Sequence, residues 1–166
     1  GELYIDERCC ELCIKVPDMG PHATYMNLSG KAVKYWLTEA NVALDDCLVI
    51  YDDIDLPLGI FKLKPKGGGG THNGIGNIIE TLGRTDIPRM RCGIGKDYAQ
   101  GYQVDYVLGR FSSEELKLVE PCLDRAVSAV KSFVTVGMQM TMNQFNTKET
   151  ELAKKLENDE AMKNEE

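Results

Sequence analysis

Residues 47–82 read CLVIYDDIDLPLGIFKLKPKGGGGTHNGIGNIIETL, and the order of patterns inside this stretch decides the fold. Cys47 to Tyr51 form a short apolar run followed by turn signals, which predicts a buried strand ending at Asp52. LGIFKLK then alternates, which predicts a second strand carrying Lys62 and Lys64 on one side. Four glycines break that strand. After His72-Asn73 the apolar residues Ile75, Ile78, Ile79 and Leu82 recur at helical spacing, and Gly83 is placed to end the helix.

The same logic extends outward. Ala32, Val33, Trp36, Leu37 and Ala40 predict a helix entered at Asn27, and the alternation from Cys9 to Val16 reads as a strand. RMRCGIG (89–95) and VDYVLG (104–109) look like further short strands. Ser112-x-x-Glu115 is a capping box that opens a long apolar stripe from Leu116 to Val134, with Pro121 marking a break or a new first turn. From 147 to 166 the chain lacks a wide apolar face and reads as a charged tail beyond a domain spanning 1–146. Strands alternating with helices imply a layered α/β domain, in which functional groups gather at strand ends and helix starts.

A chain of 166 residues with 43% hydrophobic content suits one globular domain. It contains no apolar run of 18 residues, so no membrane partner is expected. The net charge of -7 argues against a uniformly basic surface, but its distribution is uneven. Residues 60–96 hold seven basic side chains against two acidic ones, a local +5, which suits contact with one short piece of phosphate backbone. Of the six cysteines, only Cys10 and Cys13 form a CxxC, and His22 and His72 sit at no zinc spacing. Reduced cysteines and no metal or cofactor are the expectation.

Each candidate feature also has a plain structural reading. The run Lys66 to Thr71 invites a phosphate-loop assignment, yet lacks the Gly-Lys-Ser/Thr order of the nucleotide motif. Asp52, Asp53 and Asp55 would form turn caps more readily than a metal cluster, leaving one carboxylate to orient a histidine. His72-Asn73 and Asn27 at helix starts are natural caps. An aspartate, a histidine and two asparagines on one edge would equally suit ester or amide hydrolysis, since amide side chains hold a carbonyl and a water without charge.

These residues resemble the bacterial-type peptidyl-tRNA hydrolase family. TYMNLSGKAV (24–33), DDIDLPLG (52–59), GGGGTHNG (67–74), RMRCGIG (89–95), DYVLGRF (105–111) and GMQMTMNQFN (137–146) correspond to successive family blocks in order. The resemblance implies a three-layer α/β/α domain with a twisted mixed sheet. It also implies metal-independent cleavage of the ester between a peptide and the 3′ ribose of tRNA, by a cytoplasmic monomer with tRNA as partner. An upstream targeting segment would instead direct it to a mitochondrion or plastid. By the same resemblance, Asp52 holds a general-base histidine, Asn27 holds peptide and reacting carbonyl, and Asn73 positions substrate or water. His72, Tyr25, Met26 and Gly70 border the substrate, and Lys64 and Arg91, with Lys62 beside them, clamp the tRNA 5′-phosphate. The family's GLGNPG-like and TRHN blocks, the second holding the catalytic histidine, are not in this chain. The expectation is therefore an N-terminally incomplete, inactive chain without the first strand. A non-catalytic RNA binder on the same fold, such as an organelle intron-splicing factor, is the alternative reading.

Overall fold

A computed structural model describes residues 3–4, 13–14 and 25–163. The Cys10-x-x-Cys13 side chains and His22 lie outside the described residues, and so do the expected strand residues around Cys13 and Ile14. Those two residues form β2 (Cys13–Ile14), an antiparallel partner of β1 (Leu3–Tyr4).

Three strands form the central sheet: β3 (Val49–Asp53), β4 (Phe61–Lys64) and β5 (Arg89–Gly93), in the order β3-β5-β4. β3 runs parallel to β5 and β4 antiparallel to it, so the sheet is mixed. Helices α1 (Ser29–Glu39) and α2 (Asn73–Leu82) pack together, joined by the Gly30 N–H donating to Asn77 Oδ1 at 2.9 Å. A long helix, α4 (Ser113–Lys163), covers the other side through β4. The result is the expected α/β arrangement of a mixed sheet between helical layers.

Two apolar clusters hold the layers. Tyr51, Ile75, Ile78 and Ile87 join β3 to α2, with Val33 of α1 against them. Phe61, Leu63, Met90 and Cys92 meet Cys122, Ala126 and Ala129 of α4. The inward side chains of β4 are Phe61 and Leu63, so the strict alternation begins one residue later than Ile60.

Several sequence expectations change. β3 continues through Asp53, one residue beyond the expected end. VDYVLG is not a strand: α3 (Gln103–Val107) occupies it, because Val104, Val107 and Leu108 fall at helical i, i+3, i+4 spacing and β5 already has partners on both edges. The Ser112–Glu115 capping box forms as read, with the Ser112 N–H donating to Glu115 and the Glu115 N–H to Ser112 Oγ. Pro121 breaks nothing. The break lies at Gly137, with φ 78°, a conformation that favours glycine.

Gly137 is in fact the corner of a helical hairpin. Arg125 and Glu149 are 24 positions apart, which a straight helix would separate by roughly 36 Å, yet Arg125 Nε donates to Glu149 Oε1 at 2.6 Å. Ser132 and Thr141 likewise meet across the corner, their hydroxyls 2.9 Å apart. The returning arm carries residues expected to be tail. Glu149 is 2% exposed, and its Oε2 accepts the Phe61 N–H at 3.1 Å. Asn146 accepts the Leu63 N–H and donates to the Leu63 carbonyl, both at 2.9 Å. These side chains satisfy backbone groups on the outer edge of β4, where no further strand pairs among the described residues. A narrow polar stripe suffices for that task, so this arm docks without a wide apolar face.

Candidate active site

Strand pairing creates the charge pattern of the site. β4 lies against β5 with Lys62 opposite Arg91 and Lys64 opposite Arg89. Like charges directly opposite each other destabilise a ladder, and here two such pairs stand side by side. Asp53 supplies the nearby carboxylate: its Oδ2 accepts from Arg91 Nε, and its Oδ1 accepts the Asp55 N–H at 2.8 Å. Asp53 is thus occupied by Arg91, and among the described residues no carboxylate pairs with Lys62, Lys64 or Arg89. Desolvation, reinforced by Arg91 and Lys62, draws the Lys64 ammonium below the ordinary lysine range. Burial pulls the Arg91 guanidinium down, but Asp53 outweighs it and the net shift is upward.

Not all of the expected basic strip faces solvent. Arg84 is tied to Asp86, Lys96 donates to Asp55 at 2.7 Å, and Arg89 is 1% exposed. Lys62, Lys64, Lys66 and Arg91 remain as the outward group. The three aspartates are each matched to a different side chain, Asp52 to His72, Asp53 to Arg91 and Asp55 to Lys96, which explains the acidic turn without a shared ion.

At the end of β3, Asp52 meets the start of α2. His72 is the N-cap of that helix: its Nδ1 accepts the Ile75 N–H at 3.3 Å, as a serine or aspartate cap would. Its Nε2 lies 3.1 Å from Asp52 Oδ1, and the Tyr51 ring packs against the imidazole at 4.9 Å between centroids. With Nδ1 accepting, Nε2 carries the hydrogen and donates to Asp52. Both ring nitrogens are then engaged, and no lone pair is left to take a proton from water. His72 is held between Asp52 and the first turn of α2. The resemblance pairs Asp52 with a histidine of another block and places His72 at the border of the cleft; in the fold His72 itself reaches Asp52.

A cavity of about 580 Å³ opens beside this pair. Met26, Asp52, Lys64, Gly70, His72, Asn73 and Arg91 all line it. Three expected residues do not. Asn27 and Tyr25 are exposed outside the lining; Tyr25 is the extended cap before the 3-10 turn Met26–Leu28, and within that turn Met26 lines the cavity. Lys62 stands exposed at the margin, opposite Arg91. α3 contributes an apolar wall of Val104, Val107 and Leu108. The i, i+3, i+4 spacing of those three residues is the signal in the sequence that points to this wall.

The strand ends and helix starts of a mixed α/β sheet thus bring an acidic–imidazole pair, an exposed amide and a group of cations to one cleft. The sequence model of the family described as peptidyl-tRNA hydrolase matches residues 19–154. The chain is 48% identical over 139 residues to the peptidyl-tRNA hydrolase of Parabacteroides distasonis, covering 84% of this chain and 72% of that one. It is 50% identical over 125 residues to that of Cytophaga hutchinsonii, covering 75% and 66%. The crystal structure of peptidyl-tRNA hydrolase from Acinetobacter baumannii superposes with a TM-score of 0.66 at 34% identity, over 73% of this chain and 61% of that one. The chain belongs to the peptidyl-tRNA hydrolase family, and it spans roughly two thirds of the length of these relatives.

Proposed function

We propose that this chain carries the tRNA-recognition and carbonyl-positioning surfaces of a peptidyl-tRNA hydrolase, acting as a monomer on peptidyl-tRNA in the cytoplasm. The observation that carries the reading is that Lys64 and Arg91 line the same cavity as the Asp52–His72 pair. The tRNA 5′-phosphate supplies the anion that Lys64 lacks, beside Arg91, whose Nε is already held by Asp53. The acceptor end then runs along the cleft toward Asn73, whose exposed amide holds the ester carbonyl or the attacking water. His72 holds Asp52 through one oxygen, and the family's general-base histidine would dock on the other. The apolar wall of α3 and Met26 suits the peptide's side chains.

The test is turnover of N-acetyl-aminoacyl-tRNA by this chain, alongside binding of tRNA with and without its 5′-phosphate. Turnover that falls at least a hundredfold on Asp52→Asn supports hydrolysis, the scale expected for loss of a group that orients a general base. Phosphate-dependent binding without turnover favours the alternative of an RNA binder on the same scaffold, a reading consistent with both His72 nitrogens being engaged. Absence of tRNA binding overturns both.

A further inference from the structure

Arg89 is the largest of the fully buried side chains; its fork donates to three backbone carbonyls, and the Tyr51 side chain is its one further hydrogen-bond partner among the described residues. Nε donates to Ile87 O at 3.0 Å, one terminal nitrogen to Gly68 O at 2.9 Å and the other to Thr85 O at 3.0 Å. Among the described residues no carboxylate pairs with it. A guanidinium carries a permanent charge, and burying it against neutral dipoles is costly unless an anion completes the arrangement. Its cross-strand neighbour is Lys64, another cation. A residue needed only to bridge carbonyls has no use for the charge.

The same fork controls the glycine loop. Thr85 O also accepts the Gly67 N–H at 3.0 Å, so Gly67 and Gly68 are both tied to the approach to β5. One residue further, Gly69 O accepts the His72 N–H at 3.3 Å. A Cβ on Gly69 would lie 2.7 Å from Gly76 Cα, so the loop lies flat on the first turn of α2. An unbroken set of contacts therefore leads from Arg89 through the loop to His72 and Asn73. Arg89 also lines the cavity that these residues surround.

We propose that Arg89 is a positioning residue of the phosphate site, its fork setting the height of the Gly67–Gly70 loop and its buried charge being balanced by the bound 5′-phosphate. The inference rests on the phosphate reading above and adds a residue that does not itself need to touch the ligand. Lysine at this position keeps the charge but offers one nitrogen in place of a planar fork.

The experiment compares the affinities of a tRNA acceptor minihelix bearing a 5′-phosphate and one bearing a 5′-hydroxyl, and follows amide exchange over residues 67–73. For Arg89→Lys, the preference for the phosphate form should fall about tenfold, the scale of losing a charge-assisted hydrogen bond, and the loop amides should exchange faster by a similar factor. Affinity for the 5′-hydroxyl form should change little. A second variant, with one glycine inserted after Gly68, leaves the core untouched and should lower the preference in the same way. Wild-type preference in both variants overturns the proposal. Equal loss for both minihelices, with faster exchange throughout the chain, also overturns it, since that is the mark of general destabilisation. If the unsubstituted chain shows no preference for the phosphate, the underlying phosphate reading fails first, visibly and independently of either variant.

Discussion

The two faces of the central sheet are built from alternate residues of the same strands and do opposite things. One face presents Phe61, Leu63, Met90 and Cys92 to α4, closed by apolar contact. The other presents Lys62, Lys64, Arg89 and Arg91, cations facing one another across the ladder. The sequences FKLK and RMRC therefore separate stability from recognition residue by residue, with a period of two. The difference teaches that the charged face is tolerated only because its apolar reverse is so well closed, down to the Asn146 and Glu149 side chains that satisfy the edge of β4.

The largest effect should come from the closed face. Phe61→Ala should cost about 3–5 kcal/mol in urea unfolding, the usual range for a buried phenylalanine, while tRNA affinity per folded molecule stays unchanged. Loss of affinity in the folded fraction would break the comparison. Next, Glu149→Ala leaves Arg125 and the Phe61 N–H without their partner and should cost about 2–3 kcal/mol, less than a fully buried pair because Arg125 is partly exposed. A change under about 0.5 kcal/mol, the surface norm, would return the segment to the status of a tail.

The charged face should respond in binding and not in stability. Lys64→Ala should weaken tRNA binding and flatten the slope of log affinity against log salt by about one, with a melting temperature equal to or above the parent's because a like-charge neighbour is gone. A lower melting temperature would make Lys64 a structural residue. The smallest effect is in pH. Lys64 sits below the ordinary lysine range of about 10.4 in the folded chain, so its charge is lost earlier as pH rises. Folding disfavours its charged form, so the associated stability penalty applies at lower pH and is relieved as pH rises through the folded value. Titration of tRNA affinity and of stability should therefore run in opposite directions at alkaline pH, and parallel curves would remove Lys64 from the phosphate site.

Much of this was legible in the chain. The glycine loop, the His72–Asn73 helix start, the β4 alternation and the Ser112 cap were readable because each depends on neighbours a few positions away. The role of α3 was misread because a short apolar run fits either period, and only the two occupied edges of β5 rule out another strand there. Arg89 was counted with the surface charges, since composition does not distinguish a buried guanidinium from an exposed one.

The sequence by itself determined most of the local elements, the alternation that splits β4 and β5 into an apolar and a charged face, and the family. Only the tertiary structure decided that Asp52 is held by His72, that Gly137 turns α4 back so Glu149 reaches Phe61, and that Arg89 holds the glycine loop. The physical reason is separation along the chain: those partners lie 20, 88 and 21 positions apart. Short-range pattern sets propensity and period, whereas contacts across such distances exist only once the layers have packed.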